Sequence, residues 1–261
     1  MTARQELIKV YARQLKLPTL TSCQEVIRQA EEQGLSYEEF LCEVLRRELS
    51  QREEDQKKRK LKEARFPLEK SLDTFEFQHL EQVEEAHIWQ LATGEFVKRR
   101  ENVIMIGNPG TGKTHLAIGL GRRLVSQGFN VRYYTAARLA SELVEAEQER
   151  NLTRLVKSLQ KLELLIMDEL SYLSFTRHQA ELMFQVVSER NERGSIIITT
   201  NLEFSRWSEM FPDSMLTAAL VDRLTHSAHI LNMNGQSYRL RQRLRKSGLE
   251  GNSDAGGGND T

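Results

Sequence analysis

The stretch ENVIMIGNPGTGKTHLAIGL, residues 101–120, decides the fold of this chain. Residues 107–114 fit the pattern G-x-x-x-x-G-K-T, in which glycines let successive backbone N–H groups converge on phosphate oxygens. An apolar segment precedes this loop, and a helical pattern that stops at Gly128 follows it. This context predicts a strand, a phosphate-binding loop and a helix whose positive N-terminal end points at the same anion.

The side chains of the loop carry complementary chemistry. Lys113 supplies a cation for the β- and γ-phosphates of a nucleotide, and Thr114 offers a hydroxyl ligand to Mg²⁺. We therefore predict that ATP and Mg²⁺ bind here. The residues expected to contact the nucleotide are Gly107, Asn108, Pro109, Gly110, Thr111, Gly112, Lys113, Thr114 and His115.

An acidic pair follows a second apolar segment, in LLIMDE at residues 164–169. The carboxylate of Asp168 is placed to hold Mg²⁺ through water. An acid directly after such an aspartate is placed to polarise the attacking water, so Glu169 is the predicted catalytic base. The alternative is a strand that simply ends in two solvated acids, and the phosphate loop upstream argues against it. The pair favours hydrolysis over transfer to another substrate.

Two further residues complete the predicted catalytic set. Asn201 ends the apolar strand in GSIIITTNLEFS, where an amide can contact both the γ-phosphate and the attacking water. Arg223 lies in an amphipathic helix, and an arginine there is typical of a finger offered to a neighbouring subunit. The alternatives are a turn asparagine and a surface salt bridge, respectively.

Apolar runs alternate with helical patterns from about residue 100 onward. The runs predict strands at residues 103–106, 131–134, 164–167, 196–199 and 229–233. Such alternation is typical of an α/β fold with a mostly parallel sheet and helices on both faces.

Residues 1–66 have the pattern of a small helical domain. Three helices are predicted, and possible capping boxes pair Ser22 with Glu25 and Ser36 with Glu39. Pro67 breaks the pattern, so we place a boundary there and assign residues 67–246 to the α/β domain. The Gly-rich tail, residues 247–261, is expected to be disordered.

Charge is balanced over the whole chain but clustered locally. The 261 residues include 37 Lys and Arg and 37 Asp and Glu, so bulk charge does not argue for nucleic acid. Basic clusters at residues 57–65 and 239–246 suit contacts with the phosphates of duplex DNA, although each is also explained by a solvated helix face. The predicted DNA contacts are Lys57, Lys58, Arg59, Lys60, Arg241 and Arg243.

The N-terminal segment and the cysteines predict a cytoplasmic location. The sequence MTARQELIKVYARQ lacks the apolar core of a signal peptide, and no apolar run approaches the roughly 20 residues of a membrane span. Cys23 and Cys42 lie outside any C-x-x-C pattern, which favours a reducing compartment.

The four motifs, in this order, resemble an AAA+ ATPase. The segments ENVIMIGNPGTGKTHLAIGLG, LLIMDELSYL, GSIIITTNLEFSRW and DRLTHSAHILNMNGQSYRLR are similar to the IstB/DnaC-like family, and the resemblance extends over residues 1–246. It implies an ATPase that forms homo-oligomers on duplex DNA in its ATP state and assists a partner transposase. It also implies a P-loop AAA+ sheet. The sequence departs from the AAA+ pattern in one respect: it shows no separate C-terminal lid domain, where many AAA+ proteins carry a second sensor arginine, and Arg239 is a candidate substitute.

The sequence is compatible with three other functions. A replicative helicase loader shares the same core and differs in its partner. A small-molecule kinase would use the same loop, but it would need an acceptor pocket and would not need Glu169, Asn201 and Arg223 together. A binding switch with negligible turnover would not need Glu169.

Overall fold

The computed structural model describes residues 3–22, 24–80, 82–172, 174–235, 237–239 and 243. The chain divides into two compact units, Met1–Arg59 and Lys60–Thr261. This division comes earlier in the chain than the boundary that we predicted at Pro67. The end of the last N-terminal helix belongs to the second unit, because Ala64 is fully buried in the core of that unit and Leu61 packs against the same core.

The first unit contains the three predicted helices, α1 (Ala3–Gln14), α2 (Gln24–Gln33) and the beginning of α3 (Tyr37–Ala64). The capping box of α3 has formed. The Ser36 amide donates to Glu39 Oε2 at 2.8 Å, and the Glu39 amide donates to Ser36 Oγ at 3.3 Å. The Ser22 side chain lies outside the described residues.

The second unit is built on a five-stranded parallel sheet in the order β2-β3-β4-β1-β5. Each apolar run that predicted a strand overlaps one of its strands. Their bounds are β1 Asn102–Ile106, β2 Val131–Thr135, β3 Leu164–Asp168, β4 Ser195–Thr200 and β5 Ala228–Asn232.

Helices cover both faces of this sheet. They are α4 Glu85–Leu91, α5 Glu95–Lys98, α6 Lys113–Ser126, α7 Ala136–Gln148, α8 Leu152–Gln160, α9 Arg177–Arg190 and α10 Ser214–Thr225. Alternate residues of β1 enter different cores: Ile104 lies in one, and Val103 and Met105 lie in the other. A strand buried on both faces explains why the run was apolar throughout and showed no alternation.

Strands β1, β3 and β4 are neighbours in the order β3-β4-β1. Because all three are parallel, their carboxyl ends meet at one edge of the sheet, where ligands of open α/β sheets bind. The phosphate pattern and Asn201 lie in the loops that follow β1 and β4, and the acidic pair lies where β3 ends.

Two sequence predictions concern residues that are not described. The tail at residues 247–261 lies outside the described residues. Nearly all of the chain beyond residue 239 does so as well, and the expected lack of a C-terminal lid domain therefore stays a prediction. Among the described helices, none combines the length and apolar character that a membrane crossing requires.

Candidate phosphate-binding site

The phosphate loop joins β1 to the N-terminus of α6. Gly110 and Gly112 adopt φ angles of +85° and +97°, in the left-handed region that glycine enters at little cost. Gly112 is the N-cap of α6 and, being glycine, has no side chain with which to cap the N–H groups of the first turn. Those N–H groups are therefore suited to an anion.

Lys113 lies buried inside the loop, with 7% of its surface exposed. Its ammonium group donates to the carbonyl oxygens of Gly107 at 2.5 Å and Asn108 at 2.8 Å. Burial lowers the pKa of Lys113 to about 8. Since an ammonium group has three donors, these two bonds leave one donor for a phosphate oxygen.

Asp168 is fully buried at the end of β3. Its Oδ1 accepts hydrogen bonds from the hydroxyls of Thr199 and Thr114, the latter at 3.1 Å, and its Oδ2 accepts from the phenol of Tyr133 at 2.6 Å. Burial, and then the hydrogen bond to Asp168, raise the pKa of Tyr133, so its phenol stays protonated and donates. Three hydroxyls thus hold one carboxylate.

Glu169 follows with its backbone in the left-handed region, at φ 61°. Its amide donates to Thr199 Oγ1 at 2.9 Å, and its side chain is exposed. Partial burial and then the charge of Asp168 raise the pKa of Glu169, while Arg239 lowers it. The main-chain amide of Asn201 donates to Ser171 Oγ at 2.9 Å, which ties the loops after β3 and β4 together.

One cavity of about 280 Å³ collects most of the predicted residues. Lys113, Thr114, Glu169 and Asn201 all line it, as do Pro109, Gly110, Gly112 and His115 of the loop. Arg239, the candidate second sensor, lines it too. The sequence reasoning did not identify Leu68, Lys70, Tyr172, Thr199 and Tyr238, which complete the described lining.

Two further segments of the second unit bracket the loop. On one side, His115 Nε2 lies 2.9 Å from the carbonyl oxygen of Ser71, and its ring contacts Phe75 edge-on, with centroids 5.2 Å apart. On the other side, the Tyr238 amide donates to the Gly110 carbonyl at 3.0 Å. The phenol of Tyr238 also donates to Glu76 Oε1 at 2.9 Å, which links the two segments.

Arg223 is not among the described residues that line the cavity. Its guanidinium donates to the Ala219 carbonyl at 3.1 Å and lies over the ring of Phe184, 4.7 Å from the ring centroid. Its position on α10 is therefore compatible with the predicted action on another subunit.

The predicted DNA contacts differ in their surroundings. Lys57, Lys58 and Arg59 are exposed on α3. Lys60 is half-buried and donates to the carbonyl oxygen of Gly128, so it is less suited to DNA. Arg243 is exposed, and Arg241 lies outside the described residues.

Tyr133 and Thr199 are the contacts of Asp168 that the sequence reasoning missed. A signal was present for Tyr133, because the hydroxyl of a tyrosine buried in a strand needs a hydrogen-bond partner. Sequence alone could not name that partner, since it depends on β2 lying beside β3.

A comparison with protein families identifies this chain. The model of the IstB-like ATP-binding proteins matches residues 10–246. The chain belongs to this family. The resemblance inferred from the motifs is thereby confirmed.

Individual relatives agree with this assignment. The ATP-binding protein of insertion sequence IS21 from Pseudomonas aeruginosa is 40% identical over 243 residues, which cover 93% of this chain and 91% of that protein. The corresponding protein of insertion sequence IS5376 from Geobacillus stearothermophilus is 36% identical, covering 91% of this chain and 95% of that protein.

Solved structures confirm the fold class. The crystal structure of the DnaC helicase loader is similar to this one with a TM-score of 0.51 at 21% identity, covering 62% of this chain and 95% of that chain. At this identity the likeness concerns the fold. As a member of the IstB-like family with an AAA+ P-loop fold, the chain is an ATPase.

Gly107 offers a test of how the loop is packed. A Cβ at this position would lie 2.3 Å from the main-chain carbonyl of Met233, which cannot move aside like a flexible side chain. We expect Gly107→Ala to weaken binding of a fluorescent ATP analogue by at least about tenfold, measured by anisotropy, because displaced loop amides no longer converge on the phosphates.

Gly128→Ala is the matched control. Gly128 has φ +96°, but nothing lies within 4 Å of an added Cβ. This variant should lose about 1 kcal/mol of stability and keep its nucleotide affinity. Equal nucleotide affinity in wild type and Gly107→Ala would contradict the packing argument.

Proposed function

We propose that this protein is an ATP-dependent, DNA-binding AAA+ ATPase that oligomerises on duplex DNA and assists the transposase of an insertion sequence. One observation carries this proposal: Lys113, Thr114, Glu169 and Asn201 line a single cavity, whereas Arg223 lies elsewhere on the same unit. A site with these groups can hydrolyse a nucleotide, and an arginine outside the site can complete that of a second subunit.

The residues present fit a magnesium ion. Thr114 donates its proton to Asp168 Oδ1, which leaves the lone pairs of the hydroxyl oxygen for a cation. Carboxylate and hydroxyl oxygens are ligands that suit Mg²⁺. Thr114 would contact the metal directly and Asp168 would hold it through water. Bound there, Mg²⁺ would supply positive charge against the β- and γ-phosphate oxygens.

The remaining groups have separate roles in hydrolysis. Lys113 and the first turn of α6 orient the phosphates. Glu169 accepts the proton of the attacking water, and its raised pKa brings it nearer to the neutral range in which a general base works best. The Asn201 side chain positions that water against the γ-phosphate.

Assembly is the role that we assign to Arg223 and to the basic clusters. A γ-phosphate contacted by Arg223 of a neighbouring subunit makes subunit association depend on ATP. Repetition of Lys57, Lys58 and Arg59 along the assembly turns weak contacts with DNA phosphates into avid binding. These contacts carry no sequence readout, since they reach the backbone only.

A helicase loader is the second candidate, and DnaC shares the fold. The relatives named above belong to insertion sequences and match over nine-tenths of the chain, so we favour transposition. Pull-down assays with the transposase and with a replicative helicase separate the two functions. The cytoplasmic location stays a prediction.

Glu169→Gln tests the proposed base. Glutamine keeps the shape of the side chain but cannot accept the proton, so the rate of phosphate release should fall by about 10²-fold or more while nucleotide binding is retained. Glu203→Gln, an exposed acid beyond β4, is the control and should hydrolyse ATP normally. Unchanged turnover in Glu169→Gln would remove Glu169 from the mechanism.

Mixing two inactive variants tests whether Arg223 acts on a neighbour. Subunits carrying Lys113→Ala lack a functional loop, and subunits carrying Arg223→Ala lack the finger. In an equal mixture about a quarter of the interfaces join an intact loop to an intact Arg223, so part of the ATPase rate should return. If hetero-oligomers form and no activity returns at any ratio, action across the interface is wrong.

A salt titration tests the DNA surface. We expect duplex binding to be tighter with ATP than with ADP and to fall steeply with salt. Replacing Lys57, Lys58 and Arg59 by Ala should make the plot of log affinity against log salt less steep. The magnitude of its slope should fall by about 0.9 for each DNA phosphate that is no longer neutralised. Binding should be measured by anisotropy on duplexes of two unrelated sequences.

The control replaces three exposed arginines of the second unit, which changes net charge equally. Arg177, Arg193 and Arg206 each pair with a carboxylate, at 3.1, 3.5 and 2.8 Å respectively. Their removal should leave the slope nearly unchanged. Equal affinity with ATP and ADP would contradict the nucleotide switch, and an equal slope in both triple variants would contradict the assigned surface.

A further inference from the structure

Asp168 is held by side chains from three separate segments. Thr114 comes from the phosphate loop, Thr199 from β4 and Tyr133 from β2. The two threonines both donate to Oδ1, whereas Tyr133 is the described hydroxyl that donates to Oδ2. The two oxygens of this carboxylate are therefore held by different elements of the fold.

The division matters because a carboxylate turns easily about its last torsion, which has broad minima. Donors on Oδ1 alone fix one oxygen and leave the plane of the group free to turn around it. A bond of 2.6 Å from Tyr133 to Oδ2 fixes the second oxygen and hence the plane. The orientation of Asp168 then depends on β2, a strand that contributes none of the predicted site residues.

Packing alone does not call for a hydroxyl at position 133. Tyr133 is 7% exposed and lies in the core on one face of the sheet, where its ring faces Phe66 with centroids 6.3 Å apart. A phenylalanine would fill this space equally well. Burying a hydroxyl is unfavourable unless it is hydrogen-bonded, so the bond to Asp168 is what makes tyrosine suitable here.

We propose that Tyr133 is a positioning residue for hydrolysis, whose phenol fixes the plane of the Asp168 carboxylate and thereby sets the affinity of the site for Mg²⁺. The proposal rests on the metal role that we assign to Asp168 and Thr114. Partners that orient metal-binding carboxylates typically change metal affinity by 10- to 100-fold when they are removed. Tyr133 would act only through Asp168.

Tyr133→Phe is the test, and Tyr134→Phe is its matched control. Tyr134 is the next residue of β2, is also buried, and donates to Glu142 Oε1 at 3.2 Å in the core on the other face of the sheet. Both variants lose one buried hydroxyl from the same strand, but only Tyr133→Phe changes the surroundings of Asp168.

The measurement is Mn²⁺ binding to the full-length protein with a non-hydrolysable ATP analogue, followed by electron paramagnetic resonance. We expect Tyr133→Phe to bind Mn²⁺ about tenfold or more weakly, while its affinity for the analogue without metal stays within about twofold of wild type. An unchanged affinity for the metal-free analogue also shows that the variant is folded. The Mg²⁺ concentration for half-maximal hydrolysis should rise in parallel, and Tyr134→Phe should match wild type in all three.

The possible results distinguish a failure of this inference from a failure of the metal role in the proposed function. If wild type binds Mn²⁺ and Tyr133→Phe binds it equally well, Tyr133 has no positioning role, and the proposed ATPase mechanism stands. An equal loss in Tyr134→Phe also overturns the inference, because the effect then belongs to the strand and not to Asp168. If wild type with the analogue binds no Mn²⁺, the metal role and this inference fail together.

Discussion

A fully buried carboxylate is the constraint around which this site is organised. An ionised carboxylate inside a protein is strongly unfavourable unless hydrogen-bond donors or cations surround it. Asp168 meets this requirement with hydroxyls from the phosphate loop and from the strands on either side of β3. The same hydrogen bonds hold three segments of the fold against one carboxylate. The bonds that compensate for its burial therefore also align the site.

Thr199 extends this arrangement to the next residue. The Thr199 hydroxyl donates a hydrogen bond to Asp168 and accepts one from the main-chain amide of Glu169. The main-chain amide of Asn201 donates to the hydroxyl of Ser171. The loops after β3 and β4 therefore hold each other in place. The main chain that carries the proposed base and the main chain that carries the proposed water-positioning amide are thus held relative to each other.

The sequence predicts most of the fold, because β1, β3 and β4 are buried along their whole length and the phosphate loop marks the end of the first strand. It could not predict the order of the strands, which decides that Tyr133 reaches Asp168. It also placed the domain boundary too late, since Pro67 is a clear break whereas the burial of Ala64 depends on tertiary contacts. The contact between Tyr238 and the phosphate loop joins distant parts of the chain and leaves no local pattern.

At Glu169, the left-handed backbone lowers the stability of the fold, whereas the glutamate side chain is needed for the proposed activity. Glutamate at φ 61° costs on the order of 1 kcal/mol that glycine would not, because only glycine lacks the Cβ that crowds the following carbonyl. Selection for stability alone would therefore replace this residue, and the replacement would delete the proposed base. In copies of this protein that no longer need hydrolysis, Glu169→Gly is therefore a substitution that removes the proposed base and raises stability at once.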